Sequence, residues 1–286
     1  MTTPWRERPV GIVGLGLIGG SLGLDLQGQG LEVRALVHRA STMERARERQ
    51  LASQIELDPS VLADCGLIVL ALPLDRLLDP EAALLAALPP EAVITDVGSV
   101  KQPIATLWQQ KHPRFVASHP MAGTAEAGVE AGLTGLFAGR PWVATPNEQT
   151  DSDALSSVRD LAESLGAQWL TCPAAAHDRA VALISHMPVF VSAALLQAAE
   201  QGGEAADAAA LVRQLASSGF ADTSRIGGGN PELGTLMARC NRNAVLEALQ
   251  HYRQQLSDLE ALVQGEDWSA LERSLSHCQA LRPEFL

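Results

Sequence analysis

Val10-Gly11-Ile12-Val13-Gly14-Leu15-Gly16-Leu17-Ile18-Gly19-Gly20 decides the fold. Four strand-like apolar residues run straight into a G-x-G-x-x-G turn, and residues 21–26 continue with helical character. In that setting the first glycine permits a tight turn and the second lets a pyrophosphate approach bare backbone. The third lets helix and strand pack closely, with the helix N-terminus facing the phosphates. An isolated glycine triplet is weak evidence, whereas a strand before and a helix after make it specific. Gly14, Leu15, Gly16, Leu17, Ile18 and Gly19 are therefore read as cofactor-binding.

The next strand, 32–37, ends at His38-Arg39, where dinucleotide-binding folds meet the adenosine ribose. An acidic residue there would accept hydrogen bonds from a free 2′-hydroxyl and repel a 2′-phosphate. This chain has His38, Arg39, Ser41 and Thr42 instead, a cationic fork with hydroxyls beside it. The expected cofactor is NADP; the alternative leaves Arg39 as a solvated charge at the start of a helix.

Short apolar runs alternate with helical stretches at 10–13, 33–37, 67–72, 93–96, 115–118, 142–144 and 168–171, the pattern of a doubly wound α/β sheet. Residues 67–72 are apolar throughout, as a central strand covered on both faces would be. Leu72 and Pro73 at their end are expected to border the nicotinamide. Strand signals stop after Pro173, and helices are expected at 174–201, 205–218, 231–264 and 268–281. Two domains are implied: a Rossmann-type nucleotide-binding domain over 1–172 and an all-α domain over 173–286. Gly202-Gly203 and Gly227-Gly228-Gly229 are expected to connect helices.

The 286 residues, 47% hydrophobic, suffice for two cores. A net charge of -12 without a basic cluster argues against nucleic acid as a partner. Cys65, Cys172, Cys240 and Cys278 have neither zinc spacing nor a disulfide pattern, so no metal is expected and the thiols read as reduced. Residues 1–9 lack the apolar core of a signal peptide, which points to the cytoplasm. Residues 180–199 approach membrane-spanning length, yet His186 and Pro188 at their centre favour a helix packed in a helical core or dimer.

Ligands of open α/β sheets lie beyond the carboxyl ends of the strands. His119 in Ser118-His119-Pro120-Met121-Ala122-Gly123 occupies such an end, and so does Ser99. A neutral imidazole is a fitting acceptor for the hydroxyl proton when an alcohol loses hydride, and Ser99 can orient either group.

These residues resemble the prephenate and arogenate dehydrogenases of tyrosine biosynthesis. The resemblance rests on residues 14–20, Thr95-Asp96-Val97-Gly98-Ser99-Val100-Lys101, residues 118–123, Ser185-His186-Met187-Pro188, and Gly219-Phe220-Ala221-Asp222-Thr223-Ser224-Arg225-Ile226, in that order along nearly the whole chain. It implies a helical dimerisation domain, hence a homodimer, and oxidative decarboxylation of a cyclohexadienol. It further implies His119 as catalytic base with Ser99 as its helper, Arg225 holding the ring carboxylate, and His186 and Thr124 at the substrate. Ala125, Val189 and Gly234 stand where prephenate-preferring relatives tend to carry Glu, a second His and Trp, which tilts the expected substrate from prephenate to L-arogenate. A β-hydroxyacid dehydrogenase or imine reductase is the runner-up, although the helical half holds no lysine for a catalytic role. A cofactor-binding regulator without turnover is the reading from another class. The end of the chain at Leu286 leads to no expectation of a fused mutase or regulatory domain.

Overall fold

The computed structural model describes residues 4–124 and 126–285. Six parallel strands form the main sheet: β1 Val10–Val13, β2 Val33–Leu36, β3 Gln54–Glu56, β4 Leu67–Leu70, β5 Val93–Asp96 and β6 Phe115–Val116, in the order β3-β2-β1-β4-β5-β6. The order reverses between β1 and β4, the switch point at which such sheets bind ligands. Helices α1 Leu17–Gly28, α2 Ala40–Glu48, α3 Leu74–Leu78, α4 Ala82–Ala87 and α5 Gln102–Trp108 connect the strands. β1 and β4 are buried at every position and paired in register from Val10↔Leu67 to Val13↔Leu70, which is why neither shows alternation in sequence. β3 carries none of that signal, being a three-residue edge strand flanked by polar groups.

One expectation is corrected at 115–118. The chain leaves the main sheet at Ala117, and β7 Ser118–Pro120 pairs antiparallel with β8 Pro141–Ala144, itself parallel to β9 Gln168–Thr171. His119 therefore lies inside a strand of a second, three-stranded sheet, opposite Val143. The cause is the polar end of β5. The Asp96 carboxylate accepts Ser118 N–H at 3.1 Å, and Ser118 Oγ donates to Asp96 O at 3.0 Å and contacts Thr95 Oγ1 at 2.8 Å. Side chains satisfy the backbone that a continuing ladder would have satisfied, and the chain is free to turn. Helix α6 Ser152–Ser164 covers this end of the fold.

Lys101 and Asp96 form an ion pair that is fully buried on both sides. Lys101 Nζ also donates to Ser118 O at 2.7 Å, and Asp96 Oδ2 accepts Gly98 N–H at 2.8 Å. Burial pushes the Asp96 carboxyl up and the Lys101 ammonium down, and each partner, with these donors and acceptors, pulls the other back.

After β9 every regular element among the described residues is helical: α7 Ala174–Val181, α8 Met187–Ala205, α9 Ala209–Leu215, α10 Ser218–Ser224, α11 Pro231–Cys240, α12 Arg242–Gln264 and α13 Trp268–Leu281. The single helix expected over 174–201 is interrupted by a π-turn at Ala182–His186. Pro188 stands in the first turn of α8, where its missing N–H removes a donor to the preceding turn. Gly202-Gly203 is not a connection; both residues lie inside α8, where Gly203 faces Ala209 and Val212 across a helical hairpin. Helix is also shorter than expected over 205–218, with only α9 inside it. The stretch 231–264 breaks at Asn241, whose side chain is drawn to Asp178 O and whose backbone leaves helical geometry (φ -121°, ψ 33°).

The helical half has a small core of its own, Ala182, Val245 and Ala248 with Met187 and Phe190 against it. Leu183, Ile184, Leu215, Leu246, Leu256 and Trp268 remain exposed. The apolar stretch Ala174–Ala205 is long enough to cross a membrane; its most apolar 18-residue window has a mean hydropathy of 1.7, and only 22% of that window is buried within the chain.

Replacing Lys101 by Met should lower the unfolding free energy by about 3–5 kcal/mol, because it strands a buried carboxylate. Urea unfolding at neutral pH measures it, and an unchanged midpoint would show that the pair is dispensable.

Candidate active site

The glycine turn is built for close approach. Gly14 has φ +96°, and a Cβ there would sit 2.4 Å from Ala71 O; a Cβ on Gly19 would sit 1.9 Å from Gly14 O. Nothing lies within 4 Å of a Cβ on Gly16, the N-cap of α1, so the face beside the helix N-terminus is open. Leu15 is buried in the core, and Leu17 and Ile18 pack against it. These features fit a dinucleotide's pyrophosphate on the first turn of α1. At the tip of β2, His38 and Arg39 are exposed and Arg39 is the N-cap of α2, which places Ser41 and Thr42 in that helix's first turn. Among the described residues none of these four side chains has a hydrogen-bond or ionic partner. Leu72 and exposed Pro73 follow β4, with Pro73 as the N-cap of α3.

On the same edge of the sheet, three strand spacings or about 14 Å across from β1, β6 leads into β7 and His119. His119 as a residue is partly exposed, while Ser118 and Pro120 on either side are buried. His119 Nδ1 lies 3.0 Å from Nε2 of His177, the rings meeting edge to face at 72°. His177 Nδ1 donates to Asp178 Oδ1 at 2.9 Å. Both residues come from α7 and are buried. The Asp178 carboxylate also accepts Lys101 N–H at 2.7 Å and Gln102 N–H at 2.8 Å, so it caps α5 from the helical half. Asn241 Nδ2 donates to Asp178 O at 2.7 Å and lies 3.3 Å from His186 Nδ1.

His186, in the π-turn, has no exposed surface, and its Nε2 has no hydrogen-bond partner among the described residues. Burial drives its pKa down to about 4. His119 is held well below the ordinary histidine value by desolvation first, then by the positive field of Lys101 and the neighbouring imidazoles. Both rings are neutral at pH 7.

Ser99, expected from the sequence as the helper of His119, is not joined to it by a hydrogen bond among the described residues. It is partly exposed beyond β5, and the ring's partner is His177. The sequence signal for His177 was slight, a His-Asp pair in an alanine-rich helix start whose role depends on a contact 58 residues away. Arg225 is exposed, begins a short 3₁₀ turn Arg225–Gly228, and has no ionic partner among the described residues. Its position is fixed from below: Gly227 N–H donates to Ser192 Oγ at 2.8 Å, and a Cβ on Gly227 would meet Ala193 N of α8 at 2.4 Å. Thr124 is exposed and accepts Glu126 N–H at 3.2 Å. Val189 on α8 and Gly234 on α11 face each other, a Cβ on Gly234 lying 3.8 Å from Val189 Cγ1. Ala125 lies outside the described residues.

Residues 22–171 match the family described as prephenate dehydrogenase, nucleotide-binding domain, and residues 173–277 match prephenate dehydrogenase, dimerization domain. The glycine turn lies just ahead of the first match. The structure is similar to that of Synechocystis arogenate dehydrogenase, with a TM-score of 0.81 and 43% identity, covering 97% of this chain and 100% of that one. A cyclohexadienyl dehydrogenase from Zymomonas mobilis is 29% identical over 96% of this chain and 95% of its own. Prephenate dehydrogenase from Bacillus subtilis is 27% identical over 92% of this chain and 72% of its own.

The depressed histidines make stability depend on pH. As pH falls through about 6.5 the unfolded chain takes up protons that folded His119 and His186 refuse. The stability is complete above that value and is lost towards pH 4, the folded value of His186. Thermal unfolding midpoints should drop across this window, and His186→Gln should flatten part of the drop; a midpoint level from pH 7 to 4 would contradict it.

Proposed function

Because this chain belongs to the prephenate and arogenate dehydrogenase family, we propose that it oxidatively decarboxylates L-arogenate to L-tyrosine with NADP. Prephenate, giving 4-hydroxyphenylpyruvate, is the second reading. The observation that carries the chemistry is a partly exposed histidine kept neutral among buried polar partners, just beyond the carboxyl end of β6 in the sheet that carries the glycine turn. The cofactor, when bound, supplies the hydride acceptor.

The chain's own residues do the remainder. His119 takes the C4 hydroxyl proton as hydride leaves that carbon, and the C4 carbonyl so formed draws the electron pair of the C1 carboxylate into the ring as carbon dioxide departs. Aromaticity drives the sequence forward. Neutrality of His119 matters twice: a protonated ring would be no base, and by donating to the C4 oxygen it would favour loss of water. Ser99, in the loop beyond β5, is assigned to the substrate hydroxyl. Arg225, without an internal ionic partner and braced through Gly227, is assigned to the ring carboxylate. His186 and Thr124 complete the substrate set, and the unpartnered Nε2 of His186 is the feature that favours including it.

Arogenate is preferred because the facing pair Val189 and Gly234 offers neither charge nor hydrogen bond to a keto acid side chain. NADP is preferred because His38, Arg39, Ser41 and Thr42 present cation and hydroxyls at the start of α2 with no carboxylate among them. The exposed apolar side chains of the helical half, together with its match to a dimerization domain, support a homodimer of two-domain subunits divided near residue 172. The same surface accounts for the apolar length of 174–205 without a membrane, and the cytoplasm remains the assigned compartment.

Absorbance at 340 nm with each substrate tests the reaction: arogenate should be used with the higher kcat/KM, and equal or better use of prephenate reverses the choice. His119→Asn should cut kcat roughly 100-fold or more while sparing cofactor affinity; near-normal turnover would remove His119 from the chemistry.

Changing His38-Arg39 to Asp-Ala should reverse the cofactor preference from NADP to NAD. Unaltered kcat/KM ratios for the two cofactors would refute the assignment.

A further inference from the structure

Resting on the reading of His119 as the base, we infer that His177 and Asp178 form a tautomer relay that sets which nitrogen of His119 is free. The relay begins at a group with no proton to give. The Asp178 carboxylate accepts from His177 Nδ1 at 2.9 Å while two backbone amides, of Lys101 and Gln102, donate to its oxygens. A carboxylate held by donors is an acceptor, so the proton of His177 sits on Nδ1. With its one ring proton on Nδ1, His177 presents a lone pair at Nε2, and that lone pair faces His119 Nδ1 at 3.0 Å.

His119 must accordingly carry its proton on Nδ1, which leaves the lone pair on Nε2. Without such a partner the two neutral tautomers compete, and the Nε2–H form has no base to offer at that position. The relay moves no proton itself. The proton leaving the substrate stays on His119 Nε2, and the imidazolium so formed keeps its Nδ1–H bond to His177 while Asp178 faces the positive charge from one ring further away.

Among the described residues His177 Nε2 is the one hydrogen-bond partner of His119 Nδ1. The charged and titratable groups that act on His119 are Lys101 at the N-cap of α5, paired with Asp96 of β5, His177 from α7, itself bonded to Asp178, and His186 from the π-turn. Lys101 is taken up by Asp96 and Ser118 O, and His186 Nδ1 lies against Asn241. His177 is thus a positioning residue, acting through His119.

Histidine-selective ¹⁵N spectra of the whole protein at about pH 8, where free histidine is neutral, read the tautomer directly, with His119→Asn identifying the His119 signals. The expected result is a protonated Nδ1 and a bare Nε2. His177→Leu should move the proton to Nε2 and lower kcat about 100-fold, with KM for substrate and cofactor changed less than roughly twofold. His177→Gln, which restores an acceptor near the position of Nε2, should recover most of the loss and return the proton to Nδ1.

A wild-type spectrum with the proton on Nε2 overturns the relay, even if His177→Leu does not fold. So does a His177→Leu enzyme with wild-type kcat, or one whose loss comes without a tautomer change. A wild-type protein that oxidises neither substrate yet shows Nδ1–H would fail the proposed reaction and leave the relay standing.

Discussion

The Asp178 carboxylate is a point at which the two halves of this molecule hold each other in place. It belongs to α7 in the helical half, yet two of its bonds go to Lys101 N–H and Gln102 N–H at the start of α5 in the nucleotide-binding half. An anion at a helix N-terminus answers amides that have no partner inside the helix and meets the positive end of the helix dipole. Its backbone carbonyl is in turn held by Asn241, which breaks α11 from α12 to reach it. One residue therefore ties α5, α7 and the α11–α12 junction, and the histidines of the site hang from that knot.

A second buried charge sets the other wall. Asp96 could have ended β5 as an ordinary loop residue, but Lys101 neutralises it, and the pair reshapes the backbone so that Ser118 leaves the parallel sheet. The turn carries His119 into a short antiparallel strand, where its ring meets α7. Buried ion pairs contribute little net stability and are costly to break. Here the pair is spent on direction, aiming the strand that carries His119.

What could be read from the residues depends on how local each signal is. Residues 10–20 state a strand, a turn and a helix within eleven positions, and the structure has all three. Residues 67–70 are apolar because both faces are covered, which a linear reading captures. The strand at 54–56 was missed since an edge strand of three residues has no pattern to detect. The split at Ala117 was hidden because its cause, a carboxylate 21 residues earlier, acts through space. His119 and His186 were legible through the company they keep along the chain. His177 was not, because its meaning lies in a ring-to-ring contact made only when α7 docks on the second sheet.

The π-turn at Ala182–His186 has a consequence for how this chain can vary. A wide turn holds one residue more than an α-turn, so the downstream helix is rotated by about 100° relative to an uninterrupted one. The turn thus acts as a phase shifter: α7 aims His177 and Asp178 at the nucleotide half, while α8 is free to lay its apolar stripe elsewhere. Loss of a single residue between positions 182 and 186 would bring both helices into one phase, and every side chain of α8 would swing by more than a quarter of a circle. Substitutions in this segment are a matter of chemistry, whereas its length is a matter of geometry.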